Sequence, residues 1–215
     1  MATKTWVGAD NNWNTAGSWS PSGVPVATDD VYFVSGSNDV TTMPSSSVVL
    51  GSLNFGTKWT GSMLTNCIIS ATTVDYANKV GTVILEGVFT ASDITIDAGK
   101  VLTYEHIDTL TQFGGTVTFA NGDDGTTPTT TITLYKGVIK YQPTSTAVLT
   151  TLVAYGGYFD MRGCNSPSHT ITNATIYSGS MIDERNGLAN CIYTNPITSN
   201  GGVFMPDLGR AITVT

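Results

Sequence analysis

Ile132-Thr-Leu-Tyr-Lys-Gly137-Val-Ile-Lys-Tyr141 is two short alternating segments hinged on one glycine, and it decides the reading of the whole chain. The same arrangement returns in Ile94-Thr-Ile-Asp-Ala-Gly99-Lys-Val-Leu-Thr-Tyr104 and in Thr175-Ile-Tyr-Ser-Gly179-Ser-Met-Ile182. The glycines Gly61, Gly81, Gly99, Gly115, Gly137, Gly157, Gly179 and Gly201 follow one another at intervals of 16 to 22 residues. Alternation with period two marks strands, and a glycine between two of them marks a sharp corner. A unit of this length cannot bury its apolar face alone and must stack on copies of itself. The expected fold is therefore all-β: a parallel β-helix, or β-solenoid, with each turn running strand, corner, strand and polar connection.

Composition agrees. Only 12% of the residues are charged, so polarity is carried by Thr, Ser, Asn and 23 glycines. These residues suit strands and turns. No stretch repeats apolar residues with helical spacing over three turns. The net charge of −7 and the scattered basic residues argue against nucleic acid and against anionic membranes. No run of eighteen apolar residues is present, and Met1-Ala-Thr-Lys-Thr-Trp6 lacks the apolar segment of a secretory signal. Cys67, Cys164 and Cys191 lack metal-ligand spacing and read as buried thiols, with a Cys164–Cys191 bridge as the alternative.

Residues 1–45 differ from the coils assigned to 46–215. Trp6, Trp13 and Trp19 fall within this segment, among Gly8, Asn11, Asn12, Asn14 and Gly17. A solenoid needs a plug over its first turn, and a tryptophan cluster supplies one. The competing use is an aromatic platform for stacking sugars. The pattern Trp6-Val-Gly8, Asn12-Trp13-Asn14, Ser18-Trp19, Gly23-Val-Pro25 and Asp29-Asp-Val-Tyr-Phe33 resembles the repeat-initiating segment of autotransporter-like and related bacterial or phage surface β-helix proteins. The resemblance covers about thirty residues. It implies a single-stranded right-handed β-helix and a surface role, and it carries no catalytic residue across. With neither secretory signal nor membrane barrel in view, it points to a bacteriophage virion component, folded in the host cytoplasm and displayed on the virion surface.

Few residues invite chemistry. Aligning the last coils stacks Asp160, Asp183 and Asp207, with Arg162 and Arg185 two positions beyond the first two. Equivalent positions in successive coils lie about 4.8 Å apart, a spacing suited to Ca²⁺ or to a retaining glycosidase pair. The plainer reading is a structural Asp-x-Arg corner. Glu184 follows Asp183 and should face the other way. His106 and His169 lack ligand neighbours and read as surface or turn residues, and Asn121–Pro128 reads as a projecting loop. No catalytic, cofactor or metal residue is assigned. The function expected is a non-enzymatic virion structural protein, a capsid decoration (cement) protein or fibre module. A homotrimer bound to a major capsid or other virion protein is expected, with Tyr135, Tyr141, Tyr155, Tyr158, Phe159 and Tyr177 as candidate subunit contacts. A glycan-binding or glycan-depolymerising host-attachment protein or adhesin is the alternative, with a host glycan as its partner.

Overall fold

The structure, a computed structural model, describes residues 1–46, 48–65, 69–77, 81–85, 91–103, 107–119, 129–142, 147–162, 168–185, 190–207 and 213–214. The chain is all-β, a β-solenoid of about 6 turns, and its one described helical element is the 3-10 turn Ala16–Ser18. Two sheets form the walls of the solenoid. The long-strand sheet has 13 strands, among them Thr3–Trp6, Asp30–Gly36, Val48–Trp59, Ile69–Tyr76, Ala91–Ile96, Ile107–Gln112, Thr131–Leu134, Ala147–Ala154, Ser168–Tyr177, Asn190–Tyr193 and Thr213–Val214. The short-strand sheet has 8 strands, Met63–Thr65, Thr82–Leu85, Lys100–Thr103, Thr116–Phe119, Val138–Tyr141, Gly157–Asp160, Ser180–Asp183 and Val203–Met205. The chain alternates between the sheets, so each strand lies beside the equivalent strand of the next turn and runs the same way. Among the described strand pairs, only Thr3–Trp6 with Trp19–Ser20 is antiparallel.

Register follows from the core. Ile94, Leu110, Ile132, Leu152 and Ala174 are consecutive partners across the long-strand sheet, and all are buried. Met63, Val83, Val101, Val117, Ile139, Phe159 and Ile182 form the facing column of the short-strand sheet. A slip of one residue would turn every such column to solvent, which fixes the pairing. The corners between the sheets are glycine for a steric reason. Gly137 has φ of +101°, and a Cβ there would lie 2.5 Å from the carbonyl oxygen of Gly115, one turn away. Buried Gln112 seals the same corner, its Nε2 donating to the carbonyls of Gly114, Gly115 and Val138 at 3.0, 2.9 and 3.2 Å.

The tryptophans lie at the end where the short-strand sheet stops. Thr3–Trp6 and Asp30–Gly36 extend the long-strand sheet, but the first short strand is Met63–Thr65, continued only by a bridge to Val40. Trp6, Trp13 and Trp19 are all buried there. Trp19 packs edge-on against Trp13 and Trp6, with ring centroids 4.7 and 5.0 Å apart, and its Nε1 donates to the Trp13 carbonyl at 2.7 Å. Phe33, Phe55 and Trp59 carry the aromatic packing down into the coils. These rings have no free face to offer a sugar.

Candidate functional site

Asp160 and Asp183 end successive short strands and are direct register partners. The third place in the row belongs to Met205, not Asp207. The core sets this: Phe204 pairs with Ile182, and alternation then puts Met205 beside Asp183 and carries Asp207 past the end of the strand. The row therefore holds two carboxylates rather than three.

Both carboxylates are fully engaged. Arg162 donates from Nε and Nη2 to the two oxygens of Asp160 at 2.9 and 3.0 Å, and from its backbone N–H to Oδ1 at 3.0 Å. Arg185 repeats this on Asp183 at 2.9, 2.7 and 3.1 Å. The Tyr158 hydroxyl donates to Asp183 Oδ2 at 2.6 Å, and Arg162 Nε lies 3.7 Å from the same oxygen. Arg162 also lies over the Tyr158 ring, 5.4 Å from its centroid. Hydrogen bonds from Arg185 hold the Asp183 carboxyl well below the usual carboxylate range. Burial pushes Asp160 up, but the bonds from Arg162 outweigh it and bring it below its ordinary value. Burial, together with its bond to Asp183, pushes the Tyr158 phenol up to about 12. A glycosidase pair needs one carboxyl raised enough to donate a proton, and neither is. No group of three His, Cys, Asp or Glu among the described residues could hold a metal ion.

The neighbouring position does face inward. Glu184 occupies the interior column of Tyr141 and Met161, and its carboxylate accepts a hydrogen bond from the buried Tyr193 hydroxyl. Burial raises the Glu184 carboxyl and the Tyr193 phenol, and Cys191, also buried, hydrogen-bonds to Glu184. His169 is a core residue, not a surface or turn one. The strand Ser168–Tyr177 begins early enough to bring it inward beside Cys191, with its ring 6.0 Å from Tyr141. Burial lowers its imidazole to about 4, so it is neutral at ordinary pH. His106, Cys67, Cys164 and the 121–128 excursion lie outside the described residues, as does the partner half of the suggested Cys164–Cys191 bridge.

The outer faces carry the more regular pattern. Four consecutive rungs of the long-strand sheet read Thr109-x-Thr111-x-Phe113, Thr131-x-Thr133-x-Tyr135, Thr151-x-Val153-x-Tyr155 and Asn173-x-Thr175-x-Tyr177. The intervening residues face the core, so these twelve side chains form three outward columns with no charge among them. The aromatic column is a continuous stack. Its centroids lie 4.8, 5.0 and 4.8 Å apart, with interplanar angles of 10°, 12° and 16°. Phe113, Tyr135 and Tyr155 are 47%, 43% and 45% exposed. Of the tyrosines and phenylalanines read as subunit contacts, Tyr135, Tyr155 and Tyr177 lie in this column, Tyr141 and Phe159 are in the core, and Tyr158 serves Asp183. Phe113 was not among them. Its signal was positional: each ring of the column stands two residues before a corner glycine.

The outer face of the short-strand sheet is different. Leu102, Val138, Tyr158 and Met181 are half-buried on it and Val203 is exposed. A groove of about 390 Å³ crosses it between Lys100, Leu102, Val138 and Lys140. No protein-family model matches the chain, and no curated protein or solved structure is similar to it.

Proposed function

We propose that the protein is a non-enzymatic structural module of a virion surface, a capsid decoration or fibre component that works as a homotrimer. The observation that carries the reading is the state of the acidic row on the outer surface of the last coils, as the described residues show it. Asp160 and Asp183 are each locked in a two-pronged arginine pair, so the coils keep no poised acid, base or nucleophile there. The fold invests its residues in repeated rungs and a sealed end. The outer face of the short-strand sheet supplies the subunit contact. Val138, Tyr158, Met181 and Val203 are consecutive partners in one outward column, beside the Asp160 and Asp183 carboxylates that Arg162 and Arg185 neutralise. Three copies around an axis would cover it, and closed symmetry is the usual outcome for such assemblies. Antibody raised against the chain should label capsids or fibres of purified virus particles from its source. Particles that carry none of the chain overturn the virion assignment.

A further inference from the structure

We propose that the threonine-and-aromatic face of the long-strand sheet binds a neutral linear polysaccharide laid along the solenoid axis. This goes beyond the structural role above and does not depend on it. Three features on this face select the ligand. The first is neutrality: across four rungs the three columns offer only hydroxyl, amide, methyl and ring groups, which favours an uncharged partner over an anionic or cationic one. The second is hydrogen-bonding capacity. A threonine hydroxyl both donates and accepts, as a sugar hydroxyl does, and Thr109, Thr111, Thr131 and Thr133 set four of them in a two-by-two block. The third is the shape of the aromatic stack. Its centroids, 4.8–5.0 Å apart, are spaced wider than the contact distance of roughly 3.5–4.0 Å between carbon atoms. The rings stand one per rung, and Phe113, Tyr135 and Tyr155 remain 43–47% exposed, so the column offers apolar ring surface along the axis beside the hydroxyl columns. The result is a repeating amphipathic track, matched to a chain whose own units repeat and present both C–H faces and hydroxyls. The charged side chains Asp93 and Asp97 bound the track at one end, so an anionic polymer would be repelled there.

The test is native electrophoresis of the intact protein through gels containing hydroxyethyl cellulose, glucomannan, dextran or alginate. At least one of the three neutral polymers should retard the wild type, and alginate should not. Tyr135→Ala/Tyr155→Ala should lower the affinity at least tenfold, and Thr131→Val/Thr133→Val should lower it by a smaller factor. Circular dichroism and melting temperature show whether each variant is folded. If the aromatic pair proves unfolded, Tyr155→Ser alone and the threonine pair carry the test. The proposal is overturned if no neutral polymer retards the wild type, if alginate alone does, or if folded variants are retarded as strongly as wild type. It is also overturned if the aromatic variant changes the protein's mass in solution, because the stack would then be a subunit contact.

Discussion

At the scale of single residues, the paired Asp160–Arg162 and Asp183–Arg185 forks show how a surface row of carboxylates is made inert. The carboxylates are buried while their arginines are about half exposed, at 46% and 52%. Such a pair is worth more than a free surface ion pair and less than a fully buried one. Asp183→Ala removes the acceptor of both Arg185 and Tyr158, and it should cost about 2 kcal/mol in chemical denaturation. His169 makes a pH prediction with a definite sign. Its folded pKa, about 4, lies below the ordinary imidazole value of 6.5, so the unfolded chain takes up the proton first as pH falls. Its contribution is complete above pH 6.5 and is lost as pH falls from there to about 4, amounting to about 3 kcal/mol across the window. Glu184 has the opposite sign, since burial raises its carboxyl and the folded state gains as it is protonated. The His169 contribution is therefore read as a difference: denaturation curves of wild type should steepen in their pH dependence between 6.5 and 4 relative to His169→Leu. Equal slopes for the two proteins would contradict the buried neutral histidine.

At the scale of elements, the corner is the unit that repeats, and its glycines are not equivalent. Gly137 combines positive φ with a backbone oxygen 2.5 Å from any added Cβ, whereas Gly179 has φ of +89° but nothing within 4 Å. Gly179→Ala should cost about 1 kcal/mol, from the dihedral alone. Gly137→Ala should cost about 3 kcal/mol or more, because the neighbouring turn must also move. Equal melting temperatures for the two variants would contradict the stacked corner. Trp13→Ala at the sealed end should cost about 3–5 kcal/mol, by the measure of other large-to-small core changes. The glycine spacing and the period-two alternation made the strands and corners legible, because both are local consequences of chain geometry. The role of residues 1–45 was legible only in part. The tryptophans announced a sealed end, but not that Thr3–Trp6 and Asp30–Gly36 would join the long-strand sheet, which depends on pairing between distant segments. Asp207 was misplaced for the same reason: sequence spacing does not reveal which residue of Val203–Met205 sits beside Ile182. His169 looked like a turn residue because strand length is decided by the neighbouring turns, not by the residue itself. The aromatic column could have been found from its fixed offset to the glycines, yet the same tyrosine-rich composition also fills the core, and only the alternation phase separates Tyr135 from Tyr141.

At the scale of the whole molecule, the two outer faces differ in chemistry. The long-strand face is neutral, hydroxylated and edged by stacked rings, while the short-strand face combines the apolar column of Val138, Met181 and Val203 with the Asp–Arg pairs and the exposed Lys100 and Lys140. In the assembly proposed, the second face meets other copies and the first remains outward. Met181 lies on the second strand from one end of the short-strand sheet, between Tyr158 and Val203 in the outer column. A charge placed there would have to be desolvated in every subunit contact of a closed ring. Met181→Glu should thus abolish assembly while leaving the fold intact, because the side chain points out of the core. The measurement that tests the account most directly is the mass of the purified chain by light scattering at micromolar concentration. The account predicts three times 22.6 kDa for the wild type and 22.6 kDa for Met181→Glu. A wild-type protein that stays at 22.6 kDa would contradict it.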